Sequence, residues 1–182
     1  MLTACQHTSC QPVSFAETAP FTPESTVNWR KEVRRQLPLL GHRNWIVVTD
    51  MAYPLQTGTG ITTVYTSSSY TDVLAFVRQT LGEMPHVYPH IYQDAEFDRL
   101  REDFCPGIDS IRSALRPLLP AGKVTYREHE SLIATLDSVS RFFQVLVLKT
   151  NLTIPYSSVF FELDCKYWDA AQQKALEKET GR

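Results

Sequence analysis

The sequence predicts a layered α/β domain built on a mainly parallel β-sheet, and three observations lead to this fold class. Short, apolar, β-branched segments alternate along the chain with segments whose apolar residues recur at helical spacing. Such alternation is typical of strands joined by crossover helices, which pair in parallel. The chain has 182 residues, 43% of them hydrophobic and 21% charged, which is enough to close one sizeable core.

The first segment differs in composition from the rest. Residues 1–25 are rich in Ser, Thr, Pro and Gln and show no apolar period, which predicts a flexible N-terminal arm ahead of a domain over 26–182. The opening Met-Leu-Thr-Ala-Cys is similar to a lipoprotein cleavage box. It lacks the charged and apolar regions that precede such a box, so a chance match is the better interpretation.

The following elements are predicted in chain order. Apolar residues at helical spacing indicate an amphipathic helix over 26–40, which Gly41 ends. Ser69 and Asp72 have the spacing of a capping box at the start of a further helix. Strands are predicted at 45–48, 61–66, 87–92, 124–126, 145–148 and 159–163, and the remaining helices at 96–104, 108–119, 129–143 and 170–179.

Charge and cysteine usage narrow the class of partner. The net charge is −2 and the pI about 6.2, without a long basic run, which argues against nucleic acid. No apolar run approaches the roughly 20 residues of a membrane span. The four cysteines form no CxxC pair, and His86 and His90 bracket a proline in an extended segment, so a metal site is not favoured. We expect a cytoplasmic protein without membrane or nucleic-acid partners.

Two motifs carry polar side chains at predicted strand ends. Leu-Gly-His42 precedes a strand that ends in Val-Val-Thr-Asp50, with Pro54 four residues further on. Later, the strand at 145–148 is followed by Pro-Tyr156-Ser-Ser158-Val and the next strand. Ligands of α/β sheets gather beyond the carboxyl ends of strands. Taken alone, the histidine is better interpreted as capping a helix end, and the aspartate could close a turn.

In order and separation, these motifs resemble the signature of the RbsD/FucU sugar mutarotases, the D-ribose pyranases and L-fucose mutarotases, over residues 36–163. The resemblance implies a compact three-layer α/β/α single domain with a mainly parallel sheet. It also implies a ring-shaped homo-oligomer with sites between subunits, no metal and no organic cofactor. The expected ligand is a free monosaccharide, ribose-like or fucose-like.

The resemblance also assigns roles to individual residues. His42 would donate the proton, Asp50 would bind sugar hydroxyls, and Tyr156 would bind sugar or carry a second proton; these three form the predicted catalytic set. The predicted substrate contacts are Asp50, Tyr53, His129, Tyr156 and Ser158. His129-Glu130 is similar to a family His-Glu pair that opens a late helix, although an exposed helix start is an equal alternative. Ser158 stands where the family has Asn.

The chemistry of ring opening explains these residue types. Anomers and ring forms interconvert through the open-chain carbonyl, so the ring oxygen gains a proton while the anomeric hydroxyl loses one. Histidine titrates near neutrality and serves both steps. The sequence therefore predicts a mutarotase of carbohydrate metabolism. A non-enzymatic monosaccharide-binding protein on the same fold is the alternative, because Ser158 departs from the pattern, and an aldolase-like role for Lys149 is remote.

Overall fold

The computed structural model describes residues 28–120 and 122–180, so the predicted arm lies outside the described residues. The six strands are β1 Trp45–Thr49, β2 Ile61–Tyr65, β3 Val87–Asp94, β4 Val124–Arg127, β5 Val145–Lys149 and β6 Val159–Cys165. The helices are α1 Trp29–Gln36, α2 Tyr70–Glu83, α3 Ile108–Leu115, α4 His129–Val139 and α5 Ala170–Thr180. No helix in this part of the chain combines the length and the apolar character needed to cross a membrane.

The strands form one sheet in the order β2-β5-β1-β6-β3-β4. The pairs β1–β5, β2–β5 and β3–β4 are parallel, whereas β6 runs antiparallel between β1 and β3. The predicted mainly parallel sheet is thereby confirmed. Because of the reversal, the start of β6 lies beside the carboxyl ends of β1 and β3, and Val159 pairs there with Val48 and Gln93. This side of the sheet, formed by strand ends, is called the carboxyl edge below.

Helices cover both faces of the sheet, which gives the three layers. Alternate side chains of β1 point to opposite faces. Ile46 and Val48 pack in the larger cluster with α1, α2 and α3, and Trp45 and Val47 pack with α4. Since the central strand β1 is buried on both faces, its sequence is continuously apolar rather than alternating.

The helix predicted at 96–104 is wrong. The chain forms only a 3-10 turn over Ala95–Arg99, and the loop after it ends at Gly107, whose φ of 90° precedes α3. The carbonyls of Phe97 and Leu100 instead accept hydrogen bonds from Arg112 Nη2, at 2.8 and 2.5 Å. A side chain from α3 thus satisfies backbone acceptors that a helix would have used.

Gly60 lies too close to the end of α4 to carry a side chain. A Cβ there would be 2.3 Å from the Ser140 carbonyl oxygen and 2.4 Å from that of Phe143, both of them backbone atoms. We expect Gly60→Ala to lower the free energy of unfolding by about 1–3 kcal/mol, as overpacking does, measured by urea denaturation. Gly82→Ala is the control, because nothing lies within 4 Å of its added Cβ. Equal stability of both variants would contradict the close approach.

Candidate functional site

A buried carboxylate and a histidine meet at the carboxyl end of β3. The Asp94 side chain is fully buried, and its Oδ1 lies 3.1 Å from Nδ1 of His129, the first residue of α4. The backbone N–H of His129 donates to the carboxylate of Glu96, at 3.1 and 3.2 Å. Glu96 therefore holds the start of α4, and Asp94 holds the ring that projects from it.

Asp94 is in an electrostatically unusual position. Burial raises the pKa of its carboxyl to about 6, the neighbouring His129 opposes this shift, and the charges of Glu96 and Asp50 add to it. Its Oδ2 has no hydrogen-bond partner among the described residues. When Asp94 is ionised, its Oδ1 favours the proton on Nδ1 of His129, which leaves Nε2 as the free acid–base position.

Asp50 follows β1 at the same edge of the sheet. Its side chain accepts a hydrogen bond from the Ala52 backbone N–H at 2.8 Å, so one carboxylate oxygen closes the turn, as the alternative interpretation expected. The residue is 7% exposed. Val48 and Gln93 both pair with Val159, so Asp50 and Asp94 lie at the same end of the sheet, where the charge of Asp50 adds to the raised pKa of Asp94.

Tyr156 reaches this edge from the loop before β6. Its ring meets that of His129 edge-on, with centroids 5.3 Å apart, and the residue is 40% exposed. Its φ of 54° lies in the left-handed region, which is unusual for a tyrosine. The Ser157 carbonyl accepts a hydrogen bond from the Tyr70 hydroxyl, and Ser158 Oγ lies 2.8 Å from Thr49 Oγ1. These contacts anchor the strained turn that presents the Tyr156 ring.

Three residues singled out from the sequence, Tyr53, Lys149 and Ser158, make structural contacts. Tyr53 packs in the core against α4, its hydroxyl donates to Gln56 at 2.9 Å, and burial raises the pKa of the phenol. Lys149 Nζ donates to the Tyr53 carbonyl at 2.5 Å and so ties this loop to β5. Ser158 is also buried. The exposed ring at this edge is therefore that of Tyr156, while Tyr53 and Ser158 support the loops.

His42 lies at the opposite edge of the sheet. Its Nδ1 is 2.6 Å from Oδ1 of Asp164. The other carboxylate oxygen, Asp164 Oδ2, lies 3.2 Å from His90 Nε2 and 3.2 Å from the Tyr88 hydroxyl. Burial by itself raises the pKa of Asp164, but hydrogen bonds from Cys165 N–H and these three side chains lower it to about 2. The His42 side chain is 61% exposed, beside a pocket of about 180 Å³.

The structure thus divides the predicted site residues into two groups. Asp50, His129, Tyr156 and Ser158 lie together at the carboxyl edge of β1, whereas His42 precedes β1. From Val159 to Asp164, the extended β6 covers roughly 17 Å at about 3.4 Å per residue. Within one chain, therefore, His42 and Asp50 do not reach the same monosaccharide.

Asp94 and Asp164 are the residues that the sequence reasoning missed. Asp94 is the last residue of β3 and Asp50 directly follows β1, so the position at a strand end was a usable signal. Asp164 gave no such signal, because its role depends on the antiparallel pairing that brings the end of β6 beside His42. Among the described residues, no group of three or more His, Cys, Asp or Glu side chains is arranged to hold a metal ion.

Comparison with known proteins shows the fold. No family model and no curated protein matches the sequence. The structure is similar to Bacillus subtilis RbsD complexed with D-ribose, with a TM-score of 0.52 and 17% identity over 73% of this chain and 91% of that one. It is also similar to the fucose mutarotase from Streptococcus pneumoniae in complex with L-fucose, with a TM-score of 0.50 and 16% identity over 79% of this chain and 98% of that one. The predicted RbsD/FucU-type fold is confirmed.

Proposed function

We propose that this protein is a mutarotase that interconverts anomers or ring forms of a free monosaccharide, at a site completed by two subunits. The observation that carries the proposal is the His129–Asp94 pair beside Asp50 and Tyr156 at the carboxyl edge of the sheet. Two proteins of the same fold were solved with D-ribose and L-fucose. A ribose-like or fucose-like sugar is therefore the first substrate class to test.

The carboxyl-edge groups match the requirements of ring opening. A base removes the proton of the anomeric hydroxyl, the bond from the anomeric carbon to the ring oxygen breaks as the carbonyl forms, and an acid protonates the ring oxygen. His129 Nε2 suits one of these transfers, because Asp94 fixes the imidazole through Nδ1. Asp50 accepts hydrogen bonds from sugar hydroxyls and so selects which sugar oxygen contacts the imidazole. Tyr156 covers the apolar face of the sugar ring.

The second proton carrier in this proposal is His42 of a neighbouring subunit. His42 and Asp50 lie at opposite ends of β1, so a second copy of the chain is needed to join them. His42 suits such a role, because its ring is exposed and oriented by Asp164. This arrangement accounts for the ring-shaped homo-oligomer expected from the sequence. Residues of α5, all exposed in the single subunit, offer further surface for the assembly.

A sugar-binding protein without catalysis is the alternative function. It is favoured by the contacts of Ser158, whose buried hydroxyl is engaged by Thr49 instead of being presented to a ligand. A binder would retain Asp50 and Tyr156 as contacts.

Cys105 and Cys165 are free thiols, which supports a reducing compartment, so for either function we expect the protein in the cytoplasm.

Saturation-transfer NMR on a panel of pentoses, hexoses and deoxyhexoses tests the proposal. A mutarotase carries magnetisation between the anomers of its substrate, whereas a binder broadens the sugar signals without exchange. We expect acceleration of about a hundredfold to ten-thousandfold, the usual contribution of acid–base catalysis, and no change when EDTA is added. An activity that EDTA abolishes and zinc restores would overturn the proposed mechanism.

A further inference from the structure

We propose that a second pocket, between α3 and the strands β3 and β4, binds a small monocarboxylic acid with an aromatic body and a hydroxyl at its buried end. The pocket has a volume of about 310 Å³ and shares no residue with the proposed sugar site. Gln93 and Asp94 are consecutive in β3 and point to opposite faces of the sheet. The pocket therefore lies behind the sheet from His129.

The buried end of this pocket contains an unmatched donor. Gln93 is 3% exposed and lines the pocket, and its Nε2 has no hydrogen-bond partner among the described residues. A buried donor without a partner is rare in native proteins, because it loses its water and gains nothing in return. A ligand hydroxyl suits this amide best, since it accepts from Nε2 and can also donate to Oε1.

The walls favour an aromatic body. Phe97, Leu115, Leu119 and Val124 supply apolar surface, with the ring of Tyr126 beside them. Water would fill this volume with about ten molecules, most of them facing carbon atoms. An aromatic ring removes that apolar surface from water, which is the main driving force of small-ligand binding.

The rim selects a single negative charge. Arg112 is already engaged by the carbonyls of Phe97 and Leu100 and by Asp109 at 3.1 Å. Arg116 also lines the pocket, is exposed, and forms no ion pair among the described residues, so it is the cation available to a carboxylate. Asp98 belongs to the same lining and disfavours a second negative charge.

Three matched probes test this inference on the full chain by isothermal titration: 3-(4-hydroxyphenyl)propanoate, 3-phenylpropanoate, which lacks the hydroxyl, and 4-ethylphenol, which lacks the carboxylate. We expect the first to bind about tenfold more tightly than the second, the usual consequence of satisfying a buried hydrogen-bonding group. We expect it to bind a few-fold more tightly than the third, since an exposed ion pair contributes little.

Two variants test which residue binds each end of the ligand. Gln93→Leu should abolish the preference for the hydroxyl and leave the affinity for 3-phenylpropanoate unchanged. Arg116→Ala should weaken both acids a few-fold without affecting 4-ethylphenol. Arg141→Ala, an exposed arginine after α4, is the control and should change nothing.

The inference is overturned if none of the probes binds at about 10 mM. It is also overturned if the three bind equally, or if amide NMR shifts appear around His129 instead of Phe97 and Leu119. If Gln93→Leu fails to fold, the probe series on the wild-type chain together with Arg116→Ala still tests whether the pocket binds this class of ligand. Sugar exchange is not the readout, so failure here leaves the proposed mutarotase untouched.

Discussion

Replacing His42 with alanine is expected to slow sugar exchange at least about tenfold, a conservative bound on the hundredfold to ten-thousandfold that a general acid typically contributes. The fold and the assembly should persist, because the His42 side chain is 61% exposed and its hydrogen-bond partner is the surface carboxylate of Asp164. Saturation-transfer NMR measures the rate, and circular dichroism and light scattering check fold and size. Unchanged exchange would show that His42 only orders the turn before β1.

Mixing two impaired variants in equal amounts tests whether the site is shared. His42→Ala and Asp50→Asn each remove one half of the proposed site, and within one subunit these halves lie at opposite ends of β1. In a randomly mixed ring, about a quarter of the subunit boundaries carry both native residues, so about a quarter of the wild-type rate should return. No recovery after unfolding and refolding the mixture would contradict a site between subunits.

Asp94→Asn is expected to change how stability depends on pH. The pKa of Asp94 is raised to about 6 from 3.8, so between these values the native state keeps a proton that the unfolded chain releases. The free energy of unfolding therefore falls as the pH rises through this window, by about 3 kcal/mol in all. Asparagine stays neutral, so the variant should escape this loss and be more stable than the wild type at pH 8.

Urea denaturation between pH 4 and pH 8 measures this effect, with the exposed Glu179→Gln as the control that should follow the wild type. The same Asp94→Asn protein should exchange sugars more slowly, because the His129 ring loses its carboxylate partner. Higher stability with lower activity distinguishes a positioning role from a structural one. A variant with the wild-type pH slope would contradict the buried, pKa-shifted carboxyl.

The sequence predicted most of the fold, because strands and helices each have a local signature. The stretch at 96–104 failed, since its carbonyls are satisfied by Arg112, a residue outside the segment. At the site, Asp50 and His129 were named from motifs, but Asp94 joins His129 across 35 positions. No local pattern encodes such a contact. Likewise, only the sheet topology brings Asp164 beside His42, whereas the separation of His42 from Asp50 follows from the strand between them.

The reversed strand β6 contributes to two different sites if the chain assembles into a ring. Its start places Ser158 against Thr49 at one edge of the sheet, and its far end places Asp164 against His42 at the other. If sites are shared, these two ends belong to consecutive sites. The same strand, paired on both sides from Val159 to Glu162, then supports the Tyr156 turn of one site and orients the acid of the next. A substitution that displaces β6 is therefore expected to impair two sites of the ring at once.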